Sequence, residues 1–279
     1  MRPLGGEWYI GIDLGVRWTQ VSCYYPGLPE PETKSTVAGK EMYRIPTALC
    51  RQKKTGRWCF GEEAGRLAES GEGMYADYLL SRAEKGEAIL LDQEYQAGSL
   101  LQIFLWKVIQ MALPPRGVRA VTKCVFTVGR LTEGLAGLIL ELSGNLGFLG
   151  QQVLVQDSRE SFYAYAVSQD PALWNYDVML YSCEEDEIWQ KRLVCNRKTR
   201  PKVAVVEESC LGKLPEEVKE WDAAFARLLR QTMAKKIVSA VYLTGSGFEG
   251  NWMDESLQVV CQGKRAFQGK NLFTKGACY

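Results

Sequence analysis

The stretch Tyr9 to Gly15 reads Tyr-Ile-Gly-Ile-Asp-Leu-Gly, an alternating strand that ends on an acid and a glycine. Asp13 and Gly15 stand where a tight hairpin could hold a phosphate or a metal-bound water. Glycine lets backbone N–H groups approach an anion, and a carboxylate orders the water around a cation. Asp is also a common turn residue, so a plain hairpin role for Asp13 stands beside the metal role. Arg17, and less so Arg159, offer a cation to a phosphate or form surface ion pairs. The acids in Cys183-Glu184-Glu185-Asp186-Glu187 read either as a divalent metal site or as a solvated hairpin tip. Lys53 to Arg57, Lys-Lys-Thr-Gly-Arg, reads as a turn rather than an anion site. Trp18, Trp58 and Trp106 are either ordinary core residues or a patch that meets a partner.

Several chemistries are excluded at once. The chain has no histidine, which removes Ser-His-Asp and Cys-His catalysis and His-ligated zinc. Nine cysteines are present, an odd number with no Cys-x-x-Cys pair, which argues against a disulfide framework or a structural zinc. Reduced core thiols and a cytoplasmic location are the expectation. Lys and Arg number 34 against 33 Asp and Glu, so no field points to nucleic acid or to an anionic membrane. The most apolar run, Leu100 to Leu113, is too short to span a bilayer and carries Gln102, Lys107 and Gln110.

The elements that must position these residues follow from alternation and helical spacing. Trp8, Ile10, Ile12 and Leu14 share one strand face, and a turn at Gly15 to Trp18 leads to a second strand. Strand pieces flank the Lys53–Arg57 turn and run into a short helix. Leu100 to Leu113 is a helix stopped by Pro-Pro-Arg-Gly, and Lys123 to Gly129 a buried strand. Glu133 falls in the first turn of the next helix. Gln151 to Asp157 is a strand, followed by a helix capped by Ser158. After Asp177 come three successive strands, a long helix carrying Trp221, Phe225, Leu228 and Leu229, a strand ending in a Gly-rich loop, and a short strand at Leu257-Gln-Val-Val-Cys-Gln262. Each half therefore repeats one order of elements, a meander, a helix, a strand and a helix. The fold class is α/β with two lobes and a cleft between them.

This order, with five short motifs in sequence, resembles the superfamily of actin, the heat-shock chaperone ATPases and the sugar kinases. Gly11 to Gln20 is similar to that family's first phosphate loop. Arg44 to Cys50, followed by Cys59 to Ala64, resembles its Pro-Ser turn and Gly-x-x-Ala segment. Lys123 to Val167 resembles the strand, helix, strand and helix that close its first lobe. Ala240 to Phe248 resembles the adenosine loop, and Leu272 to Tyr279 resembles the start of the last helix. The resemblance covers nearly the whole chain. It implies two ribonuclease H-like lobes, 1–168 with a small insertion around 39–98, and 169–279. The segment from Tyr181 to the Thr244 loop holds only three strands and a helix, so the second lobe lacks the large inserted subdomain. By the same comparison the expectation is that the chain is the N-terminal part of a longer protein.

The resemblance also assigns a site. Gly11, Gly15, Val16 and Arg17 correspond to the first phosphate loop, and Gly245, Ser246 and Gly247 to the adenosine loop. Asp13 stands where the family orients water around Mg²⁺, and Asp157 near its water-polarising acid. The cofactor implied is ATP or ADP with Mg²⁺, or none where the site has decayed. Decay is visible in the sequence. The second phosphate loop, glycine-rich in the family, is here Ser182-Cys183-Glu184-Glu185-Asp186-Glu187. A carboxylate about 4 Å from a phosphate charge is repelled by roughly 4 kcal/mol at an effective dielectric near 20. Val16 and Arg17 replace two threonines. The expectation is a pseudo-ATPase that acts as a binding or scaffold module for a protein partner or for its own C-terminal region. The alternative is a slow Mg²⁺-dependent ATPase or small-molecule kinase using Asp13 and Asp157.

Overall fold

The alternation at the start of the chain builds β1 (Tyr9–Leu14), with Ile10, Ile12 and Leu14 fully buried, and its hairpin partner β2 (Trp18–Tyr24). The computed structural model describes residues 6–37, 39–184, 186–196 and 203–279. β2 pairs antiparallel with β3 (Glu32–Thr33) and β4 (Ile45–Pro46). An inserted layer follows. β5 (Leu49–Gln52), β6 (Trp58–Cys59) and β7 (Gly73–Ala76) form a three-stranded sheet. Helices α1 (Gly61–Glu69) and α2 (Leu79–Glu84) and the ribbon of β8 (Ala88–Leu90) and β9 (Glu94–Gln96) complete it.

Helix α3 (Ala97–Gln110) buries Ala97, Leu100, Leu101, Phe104, Leu105, Val108 and Ile109, which recur at helical spacing and form one stripe. Pro114 and Pro115 lie just beyond its end and cannot extend it. β10 (Lys123–Val128), α4 (Glu133–Asn145), β11 (Val153–Asp157) and α5 (Ser158–Ser168) follow. The sheet order is β11-β10-β1-β2-β3, with β10 parallel to β1 and to β11. One face carries Ile10, Ile12, Phe126 and Val128 against α3 and α4 residues such as Phe104, Leu135 and Ile139.

The second half repeats this plan. β12 (Asp177–Glu184), β13 (Glu187–Asn196) and β14 (Val203–Lys213) form an antiparallel meander. Helix α6 (Trp221–Met233), β15 (Val238–Thr244), α7 (Asp254–Cys261), β16 (Arg265–Gln268) and α8 (Leu272–Gly276) complete it. The sheet order is β14-β13-β12-β15-β16, with β15 parallel to β12 and to β16. Strand for strand, order and direction match the first sheet. Met179, Tyr181, Cys183, Phe225, Leu229 and Val241 make its core.

The chain divides into two units. The first comprises residues up to Ser161 together with Phe273–Tyr279, and the second Phe162–Leu272. The closing segment thus belongs with the first sheet. All nine cysteines are free thiols, and six of them are buried.

Two expectations are corrected. Leu257 to Gln262 is not a strand. Leu257–Cys261 is the end of α7, whose N–H groups at Glu255 and Ser256 donate to the Asp222 carboxylate at 2.7 and 2.8 Å. A carboxylate at a helix N-terminus accepts otherwise unpaired donors, and this one comes from α6, outside any local window. Nor does Ser158 cap α5. Asp157 does so, accepting from the N–H groups of Arg159 at 2.8 Å and Glu160 at 3.2 Å. Glu160 returns a bond to the Asp157 N–H at 2.8 Å, a reciprocal capping box.

Candidate functional site

The first hairpin is held from below by a threonine. Gly15 closes the turn, with its N–H donating to the Trp18 carbonyl at 3.0 Å. A β-carbon at Gly15 would lie 2.6 Å from that carbonyl oxygen, so only glycine fits. Thr47, buried just after β4, donates its hydroxyl to the Gly15 carbonyl at 2.8 Å, and its N–H donates to the Arg17 carbonyl at 2.9 Å. Thr19 lies 2.8 Å from the same hydroxyl. The proton of Thr47 is on Gly15, so Thr19 donates. Val16 and Trp18 are exposed, and the Arg17 guanidinium stands over the Tyr78 ring at 5.8 Å.

Asp13 lies half-buried at the carboxyl end of β1 and in register with Thr127 of β10, which is in register with Gln156 of β11. Ligands in open α/β sheets gather at this end of parallel strands. The Thr127 and Ser161 hydroxyls are hydrogen-bonded at 2.5 Å, and the Gln156 amide donates to Ser161 at 2.7 Å. Asp157 is one residue further along β11. Two strand spacings place it about 10 Å from Asp13 across the sheet. Its carboxylate is committed to the α5 cap and to the Arg159 guanidinium, which it meets through Nε at 2.8 Å and through Nη2. Burial would raise its pKa, but the Arg159 and backbone donors outweigh burial and hold the carboxyl below its ordinary value. Such a carboxylate is a weak general base.

Gly11 is buried, and its open side faces the closing segment. A β-carbon there would lie 2.2 Å from the Thr274 carbonyl oxygen and 2.9 Å from Cys278 Sγ. Thr274 also donates its hydroxyl to the Gly11 carbonyl at 2.8 Å. Close packing of α8 on β1 accounts for this glycine.

In the second unit, Gly245 has φ +108°, and its backbone presses on β12. A β-carbon would fall 2.1 Å from the Cys183 carbonyl oxygen. Ser246 donates its hydroxyl to Glu184 Oε2 at 2.8 Å, and its N–H points to the same oxygen at 3.4 Å. Gly247 is buried and accepts from the Trp252 indole at 3.0 Å. The Gly245–Gly247 loop thus gives donors to Glu184 at the end of β12.

Asp186 and Glu187 lie at the turn between β12 and β13. Asp186 pairs with Lys213 Nζ at 3.2 Å, and Glu187 accepts from the Trp189 indole at 2.9 Å. Glu185 lies outside the described residues. Among the described residues no cluster of three His, Cys, Asp or Glu side chains could hold a metal ion. Burial, then the charges of Glu184 and Asp186, push the Cys183 thiol up to about 12, far from a nucleophile's range.

Sequence reasoning passed over Thr47, Thr127 and Gln156. Thr127 alone carried a signal, as a hydroxyl inside the apolar run Cys124 to Val128. Thr47 and Gln156 gave none, because their partners come from other elements.

Fold and loops together define a mixed α/β protein built on two mixed sheets of one strand order. The chain belongs to a family described as Family of unknown function (DUF5716) C-terminal, matched over residues 30–279. The β1–β2 hairpin lies before the matched region. No curated protein matches the chain in sequence. Among the described residues no helix is long and apolar enough to cross a membrane.

Proposed function

We propose that the chain is a degenerate relative of the actin, heat-shock chaperone and sugar-kinase ATPases, serving as a binding or scaffold module rather than as an enzyme. The observation that carries this reading is the bond from Ser246 to Glu184. A carboxylate already occupies the donors that an anion would need. Two further observations support it. Both sheets have a three-stranded antiparallel meander joined to two parallel strands through helices, the order expected of ribonuclease H-like lobes. Asp157, the acid the alternative enzyme reading needs, is engaged as a helix cap with depressed basicity.

Calorimetric titration of Mg·ATP and Mg·ADP into the chain tests the reading, with Glu184→Ala alongside. Wild type is expected to give no heat of binding up to millimolar nucleotide. Micromolar binding by wild type, with turnover abolished in Asp13→Ala, would overturn the pseudo-ATPase reading in favour of the slow ATPase or kinase.

A further inference from the structure

We infer that a groove on the first unit binds a short acidic segment of a partner protein that carries an aromatic or leucine anchor. The groove has a volume of about 570 Å³, within the range of natural ligand sites. It is lined by Ile103, Trp106 and Lys107 of α3, by Arg57 and Trp58 ahead of α1, and by Leu146 at the end of α4.

Four features fix the occupant's chemistry. First, the walls are apolar but unfinished. Ile103, Trp58 and Leu146 pack on the core, whereas Trp106 is half-buried without joining it. Its indole N–H donates to no described residue. Second, every ionisable side chain lining the groove is a cation. Arg57 is bonded to Glu63, but Lys107 forms no ion pair with any described residue and lies 5.8 Å from the Phe60 ring centre. With no carboxylate in the lining and Arg57 shared with Glu63, Lys107 is the cation that selects an anionic occupant. Third, Trp58 is already fixed. Arg51 stands over its ring at 5.6 Å, Tyr95 meets it edge-on at 5.4 Å, and Arg51 is anchored by Asp92 at 2.6 Å. A rigid indole gives contact area at small entropic cost. Fourth, the stripe from Gln102 to Gln110 is about 12 Å long at the helical rise, enough for about four extended residues. An anchor side chain would stack on Trp58 and Trp106 while flanking carboxylates meet Lys107 and the outer edge of Arg57. This holds whether or not a nucleotide binds elsewhere.

The test is selection of a phage-displayed random dodecapeptide library on the whole chain, followed by titration of the enriched peptides. Trp106→Ala and Lys107→Glu serve as variants, since neither residue belongs to the buried core, and a cooperative thermal melt of each confirms that it folds before its binding is read. The expected peptides join two or more carboxylates to Phe, Leu or Trp. Their binding should be lost in Trp106→Ala, weakened about tenfold or more in Lys107→Glu, and weakened by added salt. No enrichment, peptides without carboxylates, or peptides that bind both variants as tightly as wild type would each overturn the inference.

Discussion

Gly11→Ala distinguishes a packing glycine from a phosphate-binding one. The added β-carbon would start 2.2 Å from the Thr274 carbonyl oxygen and 2.9 Å from the Ala277 β-carbon and Cys278 Sγ. Backbone oxygen cannot rotate away as a side chain can, so α8 must lift from β1 by about an ångström. Overpacking of this kind costs about 1–3 kcal/mol. The buried bond from Thr274 to the Gly11 carbonyl stretches as well, adding about 1 kcal/mol. The sum is about 2–4 kcal/mol, a large share of the stability of one folded unit. For a unit of this length that lowers Tm by about 4–16 °C. Thermal or urea denaturation followed by tryptophan fluorescence measures it. A second background separates causes: in a chain ending at Leu272 the clashing atoms are gone, so the two changes should be strongly non-additive. If Gly11→Ala leaves Tm unchanged, or costs the same in the shortened chain, the closing segment is not seated on β1 and the reasoning fails.

Two further outcomes are expected. Asp157 is held below the ordinary carboxyl range, so its contribution is present above the unfolded value of about 3.9 and is lost as pH falls through the lower folded value. Asp157→Asn keeps a capping side chain but removes the charge, so it should be less stable than wild type at neutral pH by about 0.5–1 kcal/mol, the worth of a carboxylate at a helix N-terminus with an exposed ion pair, and the gap should close in acid. Urea midpoints at a series of acidic pH values check this, and a gap that persists unchanged below the folded value would sink it. Under native conditions Cys210 and Cys261, both exposed, should react with iodoacetamide well before Cys23, Cys50, Cys124 and Cys278, which are buried. Peptide mass spectrometry reads the order, and early labelling of Cys124 would contradict its placement in the core.

What could be read from the sequence was local. Ile10, Ile12 and Leu14 announce a buried strand face by alternation, and the α3 stripe is visible in Leu100, Phe104 and Val108 because helical spacing repeats within a few residues. Lys53 to Arg57 reads as a turn, and it is one, with the Gly56 N–H on the Gln52 carbonyl at 2.8 Å. The misreadings arose where a distant residue decides. Leu257 to Cys261 contains adjacent valines, a strand-like composition, but Asp222 makes it a helix. β16 was not anticipated because Lys264 and Arg265 hide it, and only pairing with β15 defines it. The candidate site shows the same divide. The Asp and Gly residues were evident by type, whereas the partners that occupy them were not. Thr274 is 263 positions from Gly11, and Glu184 is 62 from Ser246.

The return of Phe273–Tyr279 to the first unit also sets an order of events during synthesis. The strands that α8 covers emerge from the ribosome early, and the residues that cover them emerge only after the whole second unit. Until then β1 carries an open slot beside Gly11, with the Gly11 carbonyl lacking its Thr274 donor. Contacts between residues this far apart in sequence are slow to form and leave apolar surface exposed to misassociation in the meantime. The first unit therefore begins folding before the second yet finishes after it. A nascent chain halted anywhere before Thr274 would present the same unfilled slot, a lasting mark by which chaperones and proteases could tell it from the finished fold.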